Sequence, residues 1–166
     1  MKDFDRQLAE LVQRIASALA AKSARVAVAE SCTGGWIAKA LTDLPGSSGW
    51  FGYGFVTYSD VAKQEVLGVS AATIATHGAV SEDVAEQMAT GARLLSAAEI
   101  AVAVTGIAGP DGGTVAKPVG TVCLAWAGPG VQLISTTCRF EGDREAIRRQ
   151  SVVAALEGVL VQLTAP

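Results

Sequence analysis

Ser31 lies in the stretch Ala29-Glu30-Ser31-Cys32-Thr33-Gly34-Gly35, between the alternating run Arg25-Val26-Ala27-Val28 and a second apolar stretch that begins at Trp36. A serine that follows a strand and precedes a helix stands where unpaired amides point outward. A developing negative charge beside it would therefore meet backbone donors and the positive end of the helix, a setting that suits acyl transfer. Glycine at 34 and 35 would let a substrate come close to the main chain. Three readings of these residues stay open: a plain strand-to-helix turn in which Ser31 or Thr33 caps the helix, a backbone cradle for an anion, or a seat for a nucleophile. Cys32 poses a related question, because a helix N-terminus lowers the pKa of a thiol.

A serine nucleophile needs a base. His77 is the sole histidine; it stands in a glycine-containing loop before a capped helix, a setting for hydrogen bonds to nearby backbone. Lysine is the other option, since burial disfavours its charged form. Lys63 lies in Tyr58-Ser59-Asp60-Val61-Ala62-Lys63, where Tyr58 closes a strand and Ser59 opens a short helix. If Tyr58 and Lys63 project to one side, a phenol and an amine flank Ser31; otherwise Lys63 is a solvated surface amine. The stretch Thr105–Thr114 has the glycines of an anion-binding nest, but neither a Walker lysine nor the GxGxxG spacing, and a long turn is the competing reading. Arg144 and Arg148 are one helical turn apart at the start of the last helix. The dipole does not favour a cation there, which suits a grip on phosphate or carboxylate; Arg149 reads as solvated charge.

The elements that must position these groups follow from periodicity and turn signals. Apolar residues at helical spacing mark a helix over 4–21, and a short strand follows at 25–29. A helix over 34–44 stops at Pro45-Gly46. Residues 50–58 read as a strand in which Gly52 and Gly54 signal a bulge or a close backbone neighbour. Ser59 caps a helix over 60–66, and Ser81 caps one that runs to about Ala97. Ile100–Val104 is a continuous apolar run of the kind covered on both faces. Residues 119–127 and 131–140 read as strands joined by a hairpin at Gly128-Pro129-Gly130, and Asp143 caps the last helix. Helices interleaved with a mixed β-sheet predict a three-layer α/β/α sandwich, with residues 1–166 as one domain.

The 166 residues, half of them hydrophobic, suffice for a sizeable core, and a net charge of -3 argues against general affinity for nucleic acid or an anionic membrane. Three cysteines without metal-ligand spacing suggest neither a disulfide framework nor a zinc site, which fits a reducing cytoplasm. The charged N-terminus does not read as a signal peptide, and nowhere do about twenty apolar residues run together.

The stretches VAVAESCTGGWIAKALTDLPGSSGWF, GFVTYSDVAKQEVLGV, HGAVSEDVAEQMA, VTGIAGPDGGTVAKPVGTV and FEGDREAIRRQ, in that order, closely resemble the C-terminal domain family of the competence/damage-inducible protein CinA, including its stand-alone nicotinamide-nucleotide amidases. The resemblance implies a bacterial amidohydrolase of pyridine nucleotide salvage, which converts nicotinamide mononucleotide and water to nicotinate mononucleotide and ammonia with neither metal nor cofactor. It implies Ser31 as nucleophile, Lys63 as base and Tyr58 assisting, with amides around Thr33 and Gly34 receiving the oxyanion. It places Thr105, Gly106 and Gly109 beside the nucleotide and Arg144 on an anion. It also implies a homo-oligomer, and a chain without the extra N-terminal domain of longer family members. A non-catalytic nucleotide- or phosphate-binding module, with Ser31 only a cap, is the reading from another class.

Overall fold

The computed structural model describes residues 2–128 and 133–165. Helix α1 (Lys2–Lys22) leads into β1 (Val26–Glu30), α2 (Trp36–Thr42), β2 (Phe51–Val56), α3 (Asp60–Leu67), α4 (Ala71–His77), α5 (Glu82–Ser96), β3 (Ile100–Gly106), β4 (Thr121–Ala127), β5 (Ile134–Arg139) and α6 (Arg144–Thr164). The sheet runs β2-β1-β3-β4-β5. β1 is parallel to both β2 and β3, whereas β4 is antiparallel to β3 and β5. The mixed sheet and three layers match the expected sandwich.

Alternation of large and small side chains along the central strands decides what each face accepts. Val26, Val28, Val102, Val104, Val122, Leu124 and Trp126 face α1, α2 and α6. Ala27, Ala29, Ala101, Ala103, Ala125 and Ala127 face α3, α4 and α5. α5 carries Ala85, Ala89 and Ala92 to that second face, so a helix of small residues lies on a sheet of small residues and the backbones come close. The apolar run at 100–104 is thus covered on both faces, with unequal layers.

The two glycines of β2 answer to different needs. Pairing with β1 jumps from Phe51 to Tyr53, which leaves Gly52 as the bulge. A Cβ on Gly54 would come within 3.1 Å of the Ala38 methyl group and 3.3 Å of the Phe51 ring, so here neighbouring side chains, not backbone, crowd the position.

Ser59, Ser81 and Asp143 cap α3, α5 and α6 as the sequence predicts. Several boundaries move. α2 starts at Trp36 rather than residue 34, because Gly34 and Gly35 adopt φ of +61° and +94°. α4 was not expected; Ser70, which accepts a bond from the Thr73 amide at 3.4 Å, is its start signal. His77 is consequently the last residue of a helix and not part of a loop. The expected hairpin turn at Gly128-Pro129-Gly130 extends beyond the described residues, as does the start of the strand predicted from 131.

Candidate active site

The site forms at the carboxyl ends of the three parallel strands. β1 is followed by β2 on one side and β3 on the other, with α2 crossing one face and α3, α4 and α5 the opposite face. Diverging crossovers of this kind open a crevice beyond the strand ends. The Ser31 amide donates to the Val104 carbonyl at 3.0 Å and the Thr57 amide to the Glu30 carbonyl at 2.9 Å, which ties the three strand ends together just where the chain leaves them.

The turn after β1 is held by Glu30. This residue is fully buried. Its carboxylate accepts from the Thr33 hydroxyl at 2.6 Å and from the amides of Gly35, Ile37 and Ala38 at 3.0, 3.1 and 2.8 Å. An ionised carboxyl is an acceptor on every lone pair, so one side chain satisfies donors that would otherwise need a cap. The start of α2 is therefore served from the strand behind it, and neither Ser31 nor Thr33 is its cap. From the other side, Arg148 of α6 donates to the carbonyls of Cys32 and Thr33 at 3.1 and 2.8 Å while its guanidinium lies 5.2 Å from the centre of the Trp36 ring. The grip on an anion considered for Arg148 is thus replaced by a brace on the turn.

Ser31, so released, faces Lys63. Lys63 is 1% exposed, and its amine lies 3.0 Å from the Ser31 hydroxyl oxygen, 3.0 Å from the Thr57 carbonyl and 3.1 Å from the Tyr58 carbonyl. Ser59 starts α3 at the end of β2, and Lys63 is one turn along, so its side chain reaches back under the strand end. Burial pushes the Lys63 pKa below the ordinary lysine value of 10.5, against the opposing pull of Asp60 and, more weakly, Cys32. The partner set has a chemical consequence. Carbonyls only accept, so a neutral amine spends both N–H bonds on Thr57 and Tyr58, and its lone pair is left for the hydrogen of Ser31. The solvated-surface reading of Lys63 does not hold.

Around this pair is a cleft of about 190 Å³ bordered by Ser31, Cys32, Tyr58, Asp60, Lys63, Ala79, Val80, Thr105, Gly106, Ala108 and Arg144. Arg144 donates to the Gly109 carbonyl at 2.7 Å and to the Tyr58 hydroxyl at 3.1 Å, so α6, the glycine-rich loop and the end of β2 meet at its guanidinium. Thr105 turns its hydroxyl to the Ala79 carbonyl at 2.9 Å. Gly109 does not border the cleft; it positions Arg144.

The expected oxyanion donors need correction. Gly34 spends its amide on the Ser31 carbonyl at 3.0 Å; the Thr33 amide, like that of Cys32, has no hydrogen-bond partner among the described residues, but neither Thr33 nor Gly34 borders the cleft. Cys32 does border it, and its amide has no hydrogen-bond partner among the described residues. The Cys32 thiol is pushed up to about 12, first by burial, so no thiolate stands beside Ser31 near neutral pH. His77 lies outside the cleft, with Nδ1 3.6 Å from an Asp83 carboxylate oxygen and its carbonyl accepting from Lys117 at 2.6 Å. Sequence reading singled out neither Glu30 nor Asp60. For Glu30 the available signal was an acid directly before a serine and two glycines; for Asp60 it was an acid in the turn that carries Lys63.

The family model described as the CinA C-terminal domain matches residues 8–163. A relative from Enterobacter agglomerans called nicotinamide-nucleotide amidohydrolase PncC is 52% identical, over 94% of this chain and 95% of its own length. Its counterpart of the same name in Escherichia coli K12 is 51% identical over 92% and 93%. Among solved structures, a CinA superfamily protein from Klebsiella pneumoniae superposes with a TM-score of 0.90 at 44% identity, covering 94% of this chain and 97% of that one. The competence/damage inducible protein CihA from Agrobacterium tumefaciens gives 0.90 at 46% identity, with 94% of each chain covered.

Proposed function

The chain belongs to the CinA C-terminal domain family, and from that membership together with the cleft we propose that it hydrolyses the carboxamide of nicotinamide mononucleotide to nicotinate mononucleotide and ammonia. The names of its relatives point to this substrate class. The observation that carries the chemistry is the buried Lys63 amine 3.0 Å from the Ser31 hydroxyl, with carbonyls as its other two partners.

In the proposed reaction neutral Lys63 takes the Ser31 proton as the oxygen attacks the carboxamide carbon. The amide of Cys32, which borders the cleft with no partner of its own, receives the negative charge of the tetrahedral intermediate. The C–N bond then breaks, and Lys63 returns the proton to the departing nitrogen, giving ammonia and a Ser31 ester. Water attacks the ester, Lys63 takes its proton, and the C–O bond to Ser31 breaks with the proton restored to the serine. The sum is amide plus water to acid plus ammonia. Tyr58 acts on the rim: its hydroxyl is held by Arg144, and its carbonyl orients Lys63. Arg144, with Thr105 and Gly106 across the cleft, serves the nucleotide end, where a guanidinium suits a phosphate.

Ammonia release from nicotinamide mononucleotide, with calorimetric binding alongside, tests this reading. Ser31→Ala and Lys63→Ala should retain binding while ammonia release drops by about a thousandfold or more. Equal release by the wild type and Ser31→Ala would refute the serine mechanism. Binding without release by the wild type would make the domain a nucleotide-binding module.

A further inference from the structure

Asp60 is the only carboxylate among the residues bordering the cleft. It opens α3, where an acid complements the helix dipole, but the cap is made by Ser59, whose hydroxyl accepts from the Ala62 amide at 3.1 Å. The Asp60 side chain makes no hydrogen bond and no ion pair among the described residues, although Lys63 and Arg144 border the same hollow. An exposed acidic group at the edge of this cleft, with no protein partner among the described residues, is free to meet a charge on a bound ligand.

The charge count says which ligand. With Lys63 in the neutral form that a base requires, two fixed charges remain in the cleft: the Arg144 guanidinium, tied to Gly109 and Tyr58, and the Asp60 carboxylate on the helix that carries Lys63. A ligand complementary to such a cleft carries a negative and a positive group of its own. A nicotinamide joined to ribose through its ring nitrogen is a pyridinium, permanently cationic, and its phosphate is anionic. Free nicotinamide and the 1,4-dihydro form of the mononucleotide have neutral rings. The carboxamide is attached to the ring itself, so a substrate placed for attack by Ser31 brings the ring charge to the Ser31–Lys63 end of the cleft, where Asp60 stands.

We propose that Asp60 is a specificity residue that recognises the positive charge of an N-substituted pyridinium, so that the cleft prefers cationic aromatic carboxamides to neutral ones of the same shape. This rests on the deamidation reading above. Asp60 is solvent-exposed, so the expected effect is modest: about fivefold in affinity, the upper range for a charge pair at a protein surface.

The test uses a Ser31→Ala background, which stops turnover, and calorimetric titration with nicotinamide mononucleotide and with its 1,4-dihydro form. Adding Asp60→Asn should weaken the cationic ligand about fivefold and the neutral one less than twofold, whereas Asp60→Glu should keep the preference. Circular dichroism establishes that each variant is folded. Equal weakening of both ligands by Asp60→Asn, or no change in either, overturns the proposal and leaves deamidation standing. Failure of the Ser31→Ala protein to bind either mononucleotide overturns the deamidation reading, and this inference with it.

Discussion

Replacing Glu30 by alanine removes the single acceptor of four hydrogen bonds, those from the Thr33 hydroxyl and the Gly35, Ile37 and Ala38 amides. Gly35 and Ala38 are partly accessible and regain water, but Thr33 and Ile37 are fully buried and do not. At about 1–3 kcal/mol for each of the two orphaned buried donors, plus about 1 kcal/mol for an uncapped helix start, the loss comes to roughly 3–7 kcal/mol. In a chain of this size that lowers the melting temperature by roughly 6–28 °C. Glu30→Gln keeps a carbonyl oxygen for the three donors on one side but sets an amide N–H against that of Ala38, so it should cost about 1–2 kcal/mol. The catalytic effect has its own signature. The turn that aims Ser31 loosens while the rest of the cleft is untouched, so kcat should fall about ten- to a hundredfold with KM nearly constant. Urea denaturation and steady-state ammonia release read the two effects. An alanine variant within about 0.5 kcal/mol of the wild type, with unchanged kcat, would refute the capping argument.

Three further outcomes follow from the titrating groups. Lys63 acts only when neutral and its pKa is lowered by burial, so kcat/KM should rise along an acid limb whose midpoint lies below 10.5, and Lys63→Arg, which stays charged, should be inactive throughout; a limb at or above 10.5 would count against a buried base. The same lowered pKa means that the unfolded chain binds more protons between the folded-state pKa and 10.5, so across that window the wild type should gain stability relative to Lys63→Met as pH rises; denaturant midpoints at several pH values measure it, and a flat difference would exclude the linkage. Cys32, pushed up to about 12, should resist iodoacetamide in the native protein at neutral pH while the less buried Cys138 reacts first; mass spectrometry after timed quenching gives the order, and early labelling of Cys32 would contradict its burial.

Much of the scaffold was legible in local chemistry. The helices with long apolar stripes, α1, α5 and α6, were readable because a 3.6-residue period survives whatever packs against it. Ser59, Ser81 and Asp143 marked helix starts because a cap acts over three or four residues. Short elements were harder: α4 has seven residues and no buried one, so it carries no stripe, and its only signal was Ser70. In the glycine-rich loop, residue types suggested an anion site, but Gly109 turned out to anchor Arg144, since the direction of a carbonyl depends on what it meets across the fold.

The amino-acid sequence by itself determined the layered α/β architecture, the turn that presents Ser31, and the presence of a lysine one helical turn beyond a strand end. It did so because periodicity, caps and turns depend on residues close along the chain. Only the tertiary structure decided that Glu30, rather than Ser31, serves the start of α2, that Arg148 braces the turn while Arg144 faces the cleft, and that Lys63 is sealed from water against two carbonyls and one hydroxyl. Those outcomes rest on which groups from distant elements come within hydrogen-bond reach and on how much water they lose in doing so, and neither quantity exists until the layers close.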